Sequence, residues 1–156
     1  MKKQMNLEAV QRSVTVNASQ AKAFDVFTAK LGSWWPKDYS IGEADMADFV
    51  MEPRAGGRWY EVGVDGAECD TGRVLVYEPP DRVVFAWHLN AQYQFDPDPA
   101  HASEVEVRFT AESPDRTRVE LEHRSFERHA DGAESVRNGV DSGWQHLLGL
   151  FADSVA

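Results

Sequence analysis

From Val10 to Val16 the chain alternates after Arg12, with Val14 and Val16 on one side and Ser13, Thr15 and Asn17 on the other. A two-residue period is that of a strand buried on one face. Asn17-Ala18-Ser19 then offers Ser19 as an N-cap, and Ala23, Phe24 and Phe27 follow at helical spacing, which predicts a short helix ending near Gly32. Trp34-Trp35-Pro36 cannot continue it comfortably, because proline disfavours the helical region at the preceding residue and lacks a donor itself. A loop carrying two indoles is expected there.

Short extended runs take over from Asp48: Phe49-Val50-Met51, Arg58 to Val64, Gly72 to Tyr77 and Arg82 to Leu89. The segments between them, Pro53 to Gly57, Asp65-Gly66 and Glu78 to Asp81, are built of turn residues, so neighbouring strands are expected to pair as hairpins. Gln94 to Ser103 contains Asp96-Pro97-Asp98-Pro99 and reads as a loop, since two prolines defeat both helix and central strand. Alternation is then clean again. Val105, Val107 and Phe109 share one face, as do Val119, Leu121 and His123, and the opposite face is charged. Such a sheet is covered on one side only. The cover is the last segment, Ala133 to Ala156, where Val136, Val140, Trp144, Leu147, Leu148 and Phe151 recur every three or four residues as an amphipathic helix. Gly139, Gly143 and Gly149 interrupt it, and close approach to the sheet is the expected reason. The order strand, helix, loop, six strands, long helix describes an α+β domain with an antiparallel sheet of about seven strands.

The 156 residues suffice for one core, with no internal repeat and no stretch of linker composition, so a single domain over 1–156 is expected. Against 26 acidic residues stand 16 basic ones, a net charge of −10. That field repels phosphate backbones and anionic headgroups, which argues against a nucleic-acid partner. No run approaches the roughly 18 apolar residues of a membrane span, and the lone Cys69 has no intramolecular disulfide partner. A soluble protein of the reducing cytoplasm is expected.

Ala23-Phe24-Asp25-Val26-Phe27, Pro53-Arg54-Ala55-Gly56-Gly57-Arg58-Trp59, Gly72-Arg73-Val74-Leu75, Pro79 to Trp87 and the closing Gly143-Trp144 helix occur in an order and spacing that resembles a known family. These are the homologues of the activator of the heat-shock protein 90 ATPase, a stress-response protein, within the START-like, Bet v-allergen-like (SRPBCC) superfamily. The likeness runs from about Val10 to Val155. It implies a helix-grip fold, a curved antiparallel sheet wrapped around the long C-terminal helix with a cavity between them. The superfamily builds lipid carriers, hormone receptors, cyclases and co-chaperone domains on that scaffold, so fold alone does not select among them. The eukaryotic activator carries a further N-terminal domain that this sequence lacks, which makes a chaperone partner the weakest expectation.

Eight Phe, five Trp and four Tyr supply rings for such a cavity. Trp34, Trp35, Tyr39 and Phe49 near the first half of the chain, with Trp59, Trp87, Phe126 and Trp144 later, are the candidate lining, Trp34 and Trp35 at a mobile mouth. Each could equally be a core ring. His123 is the leading polar candidate, because its face carries Val119 and Leu121 and an inward neutral imidazole could exchange protons or bind a ligand; the alternative is a core histidine satisfied by a carbonyl or a tyrosine hydroxyl. Tyr60, Glu61, His88 and Tyr93 are secondary candidates, and Arg58 and Arg73 belong on the solvated face unless they meet an anionic headgroup. Histidines 88, 101, 123, 129 and 146 show no metal-ligand spacing, so no metal and no cofactor are expected, and no nucleophile motif marks a catalytic residue. Cys69 lies between Glu68 and Asp70, which should raise its pKa and leave it inert. The reading is a protein that binds a lipophilic or aromatic small molecule. The alternatives are an enzyme of cyclase, dehydratase or hydrolase type using the same cavity, and a co-chaperone-like interaction domain; a homodimer stays open.

Overall fold

The computed structural model describes residues 7–155, so the start of the N-terminal segment and Ala156 at the end of the expected helix lie outside the described residues. Alternation produces β1 (Val10–Val16), where Val10 and Val16 are buried. Ser19 caps α1 (Gln20–Thr28) by accepting from the Lys22 amide at 3.2 Å, one of the amides a helix start leaves unpaired. The helix stops four residues short of Gly32, and a separate single turn, α2 (Leu31–Trp34), follows. Trp34 is therefore helical, and Trp35 turns extended ahead of Pro36, as a residue before proline should.

Six further strands follow: β2 (Met46–Met51), β3 (Arg58–Gly63), β4 (Glu68–Glu78), β5 (Arg82–Trp87), β6 (Ser103–Ser113) and β7 (Arg116–Arg124). They form one seven-stranded antiparallel sheet in the order β1-β7-β6-β5-β4-β3-β2, a meander closed by the return of β1 to β7, with Val14 opposite Val119. Register shifts in β3–β4 and β4–β5 mark bulges, which bend a strand and strengthen its twist. A 3-10 segment, Phe126–Gly132, broken at Ala130 (φ 54°), leads into α3 (Ala133–Val155), whose buried side is Val136, Val140, Trp144, Leu147, Leu148 and Phe151. This is the helix-grip architecture, with α1 and α2 as the small helical segment after the first strand.

Two expectations need correcting. The helix glycines do not mark close approach to the sheet. A Cβ at Gly143 or Gly149 would meet nothing, and one at Gly139 would meet only the Tyr93 hydroxyl. Close approach occurs at Gly72, where a Cβ would fall 1.8 Å from the Ala86 carbonyl oxygen and 2.1 Å from Trp59 Nε1. Nor is the outer face uniformly wet. Glu106 is only 8% exposed there, with Arg82, Arg108 and Arg124 against it at 2.9, 2.6 and 2.6 Å. Burial alone would raise the Glu106 carboxyl, but Arg124 and Arg108 overturn that and hold it below the ordinary range.

Candidate functional site

Pro36 sets the chain into a 3-10 turn, Lys37–Tyr39, which leaves Tyr39 exposed beside α3, its ring 6.1 Å from that of His146. Across from it the Asn90 side chain accepts the amides of Gln92 and Gln94, and Tyr93 takes a left-handed φ of 57°, a conformation rare outside glycine. Tyr93 thereby reaches the helix at Gly139. The two tyrosines flank an open cleft of about 420 Å³ whose floor is Gly139, Ser142 and Gly143 of α3. The absence of side chains at these glycines keeps the cleft open.

Two smaller spaces lie inward and share Tyr39 and Tyr93 as walls. One, of about 70 Å³, runs along Val140, Trp144 and Trp87. The other, of about 60 Å³, reaches Trp35, Phe49, Glu61 and Thr71. Glu61, 2% exposed, is held by its carboxylate. Oε1 accepts from the Ile41 amide at 2.8 Å, and Oε2 from the Gly42 amide and the Ser40 hydroxyl at 2.9 and 2.7 Å. That carboxylate ties the 40–42 segment, and with it Tyr39, to β3. Beside it, Trp35 Nε1 and Thr71 Oγ1 are buried with no hydrogen-bond partner among the described residues.

Of the expected lining residues, Trp35, Tyr39, Phe49, Trp87 and Trp144 come together around these spaces. Trp34, Trp59, His123 and Phe126 do not, and pack as core. Trp34 lies 5% exposed against Phe27 and Phe151 and donates to the Val26 carbonyl at 2.9 Å, so it sits in the core and not at the mouth; Trp35 is 7% exposed and edge-on to Phe49. Trp59 stacks on Phe49 and donates to the Ala86 carbonyl over Gly72. Phe126 closes against His123 at 4.6 Å between centroids.

His123 is fully buried and satisfied by neither a carbonyl nor a tyrosine. Trp144 Nε1 donates to its Nδ1 at 3.0 Å, and its Nε2 lies 2.7 Å from Ser103 Oγ. Ser103 Oγ also lies 2.8 Å from His129 Nε2. Burial pushes His123 well below the ordinary imidazole range, and the neighbouring His129 adds to this; burial lowers His129 too. His88 is lowered by burial and bonded through Nδ1 to the Asp96 carbonyl, whereas exposed His101 is raised by its hydrogen bond to the Asp96 carboxylate.

Among the remaining candidates, Tyr60 lies under the Arg58 guanidinium at 4.1 Å, and Arg58 pairs with Asp70 and Glu68. Arg73 covers Phe95, so both arginines find partners away from the cleft. Burial, then Glu61, raises the Cys69 thiol. Sequence reasoning missed Thr71 as a lining residue, together with Ile41, Leu89 and the glycine floor. Thr71 borders Gly72, where the β3–β4 register shifts, and period-two reading loses the face at a bulge.

The family model for activator of Hsp90 ATPase homolog 1-like protein matches residues 17–156. A solved structure of an anthrahydroquino-gamma-pyrone synthase, Txn09, complexed with SUM is 38% identical, with 95% of this chain and 96% of that one covered at a TM-score of 0.68. The solution structure of CalC, a self-sacrificing resistance protein from Micromonospora echinospora, is 36% identical over 96% and 94% at a TM-score of 0.69. The Aha1 dimer from Colwellia psychrerythraea is 15% identical over 95% and 96% at 0.65, a likeness of fold. No curated protein matches the chain.

Proposed function

The chain belongs to the activator of Hsp90 ATPase homolog 1-like family, and from that premise we propose that it binds a small lipophilic or aromatic ligand in the space between the sheet and α3. The observation that carries this is the cleft between Tyr39 and Tyr93, which continues inward past Trp87, Trp144 and Trp35 over the helix floor of Gly139, Ser142 and Gly143. Ligand sites are concave, largely aromatic and furnished with a few convergent polar groups, and this one has that composition. Association uses the cleft and its tyrosines; no nucleophile is required.

A second reading, an enzyme of cyclase or dehydratase type working in the same cavity, draws support from the 38% identity to a protein named as a synthase. His123 gives it little help, since Trp87, Phe126 and Trp144 stand around the imidazole. A proton-transfer role would fall to groups that border the cavity, Glu61 or the two tyrosines. The co-chaperone reading rests on a relative at 15% identity, where only the fold carries over.

Native mass spectrometry of protein purified gently from its own source, compared with the denatured mass, tests the proposal. A reproducible small-molecule adduct, lost when a bulky side chain fills the cleft in Gly143→Phe, is the expected result. An empty protein that no aromatic compound stabilises would overturn it.

A further inference from the structure

The inner compartment combines three facts that constrain what enters it. Its volume of about 60 Å³ is small beside the 420 Å³ of the outer cleft, which suits a polar substituent and leaves the ring system to the wider space outside. Trp35 Nε1 and Thr71 Oγ1, on residues 7% and 2% exposed, are buried without partners, and such groups are rare enough in folded proteins to need an explanation. The residues around it include no lysine, arginine or histidine and one carboxylate, Glu61, whose oxygens are already taken by Ser40, Ile41 and Gly42.

We propose, on the footing of the ligand-binding reading above, that this compartment is a polar head-group subsite. It takes the neutral oxygen of an aromatic ketone, quinone or phenol, with the ring system lying outside it between Tyr39 and Tyr93. The indole N–H can only donate, so the ligand must bring an acceptor. The threonine hydroxyl can donate to a ligand oxygen or accept from a ligand hydroxyl. A carboxylate or phosphate head is excluded, because it would be buried next to Glu61 with no cation to neutralise either charge. A plain hydrocarbon would leave both protein groups unpaired, so the subsite discriminates by polarity as well as shape.

The test uses three probes of nearly one shape: 1-acetonaphthone, 1-ethylnaphthalene and 1-naphthoate. Binding is followed by 1H–15N spectra, with the Trp35 indole N–H assigned through Trp35→Phe. The ketone should bind about tenfold or more tighter than the other two, the worth of one buried hydrogen bond, and move the Trp35 indole proton downfield. Trp35→Phe should erase that preference, read as the ratio of ketone to hydrocarbon affinity within the variant so that any change in ring packing affects both probes alike. Thr71→Val, which keeps the shape and removes the hydroxyl, should reduce the preference in the same direction and serves if Trp35→Phe does not fold. Equal binding of ketone and hydrocarbon, or a preference untouched by both variants, overturns the subsite while leaving ligand binding intact. If none of the three probes perturbs any residue of the cleft, the ligand-binding reading fails with it.

Discussion

The Trp144 indole donates to His123 Nδ1 across 3.0 Å, and that single bond orders the protons of three further groups. Because Trp144 can only donate, Nδ1 must be bare, so the neutral imidazole carries its proton on Nε2. Nε2–H then donates to Ser103 Oγ at 2.7 Å, which leaves the serine hydroxyl to donate to His129 Nε2 at 2.8 Å. The chain runs from the helix through the sheet to the 3-10 segment before α3, each group in the only role its neighbour permits. A proton on His129 would make it a second donor to Ser103 and leave the serine hydroxyl without an acceptor in this chain of contacts.

The first prediction concerns pH. His88, His123 and His129 all have folded-state values below the ordinary imidazole value of about 6.5, so their neutral forms are the ones the fold accepts. Their contribution is complete above about pH 6.5 and is lost as pH falls below it, because the unfolded chain takes up protons that the folded one resists. His101 is raised and opposes this, but it is exposed. Urea unfolding at pH 7.5 and 5.5 should show a loss of about 1 kcal/mol or more at the lower pH, given about 1.4 kcal/mol per unit for one fully suppressed group. An unchanged or higher free energy at pH 5.5 would count against the three buried histidines together resisting protonation in the folded protein.

Trp144→Phe isolates the indole bond. Phenylalanine keeps most of the ring volume but leaves His123 Nδ1 buried and unpaired, at a cost of about 1–3 kcal/mol. The variant should also free the tautomer, so 15N shifts of the His123 ring nitrogens should move toward a mixture. Wild-type ring shifts in the variant would show that Ser103 alone sets the tautomer.

Substitutions of two glycines should have opposite signs. Gly72 lies under the Trp59 indole where it bonds the Ala86 carbonyl, and a methyl group there would overlap both, so Gly72→Ala should destabilise by several kcal/mol or abolish folding. Gly149 is exposed inside α3 with nothing near its would-be Cβ, and Gly149→Ala should stabilise by about 1 kcal/mol from helix propensity. Thermal melts of the two variants check both signs.

The elements themselves were legible in the sequence because burial on one face imposes a period. Val105, Val107 and Phe109, or Val136, Val140 and Trp144, announce their faces by spacing alone. The cavity was harder to read. A ring such as Trp59 or Phe126 is equally apolar in a packed core and in a pocket wall, and what separates them from Trp35 and Trp87 is whether the opposite side is filled. Gly143 illustrates the same limit, because a glycine that holds a cleft open and one that lets two elements touch look identical in one dimension. Thr71 was invisible for another reason, since an unpaired hydroxyl is defined only by neighbours that the fold supplies.

Glu61 joins the stability of the fold to the mouth of the cavity. Its two oxygens accept from the Ile41 and Gly42 amides and the Ser40 hydroxyl, so the carboxylate does for segment 40–42 what a neighbouring strand would do. Glu61→Gln keeps the size but swaps one accepting oxygen for an amide nitrogen that cannot accept, and at least one of the three donors must lose its partner. Hydrogen bonds to a charged acceptor are worth about 1.5–3 kcal/mol each, so the variant should lose about that much stability. The loss should also be local: amide exchange at Ile41 and Gly42 should accelerate well beyond that of β6 and β7, and Tyr39, carried by the same segment, should lose its fixed place beside α3. Uniform acceleration across the sheet would instead mean that Glu61 supports the whole fold and does not act as a latch on the cleft.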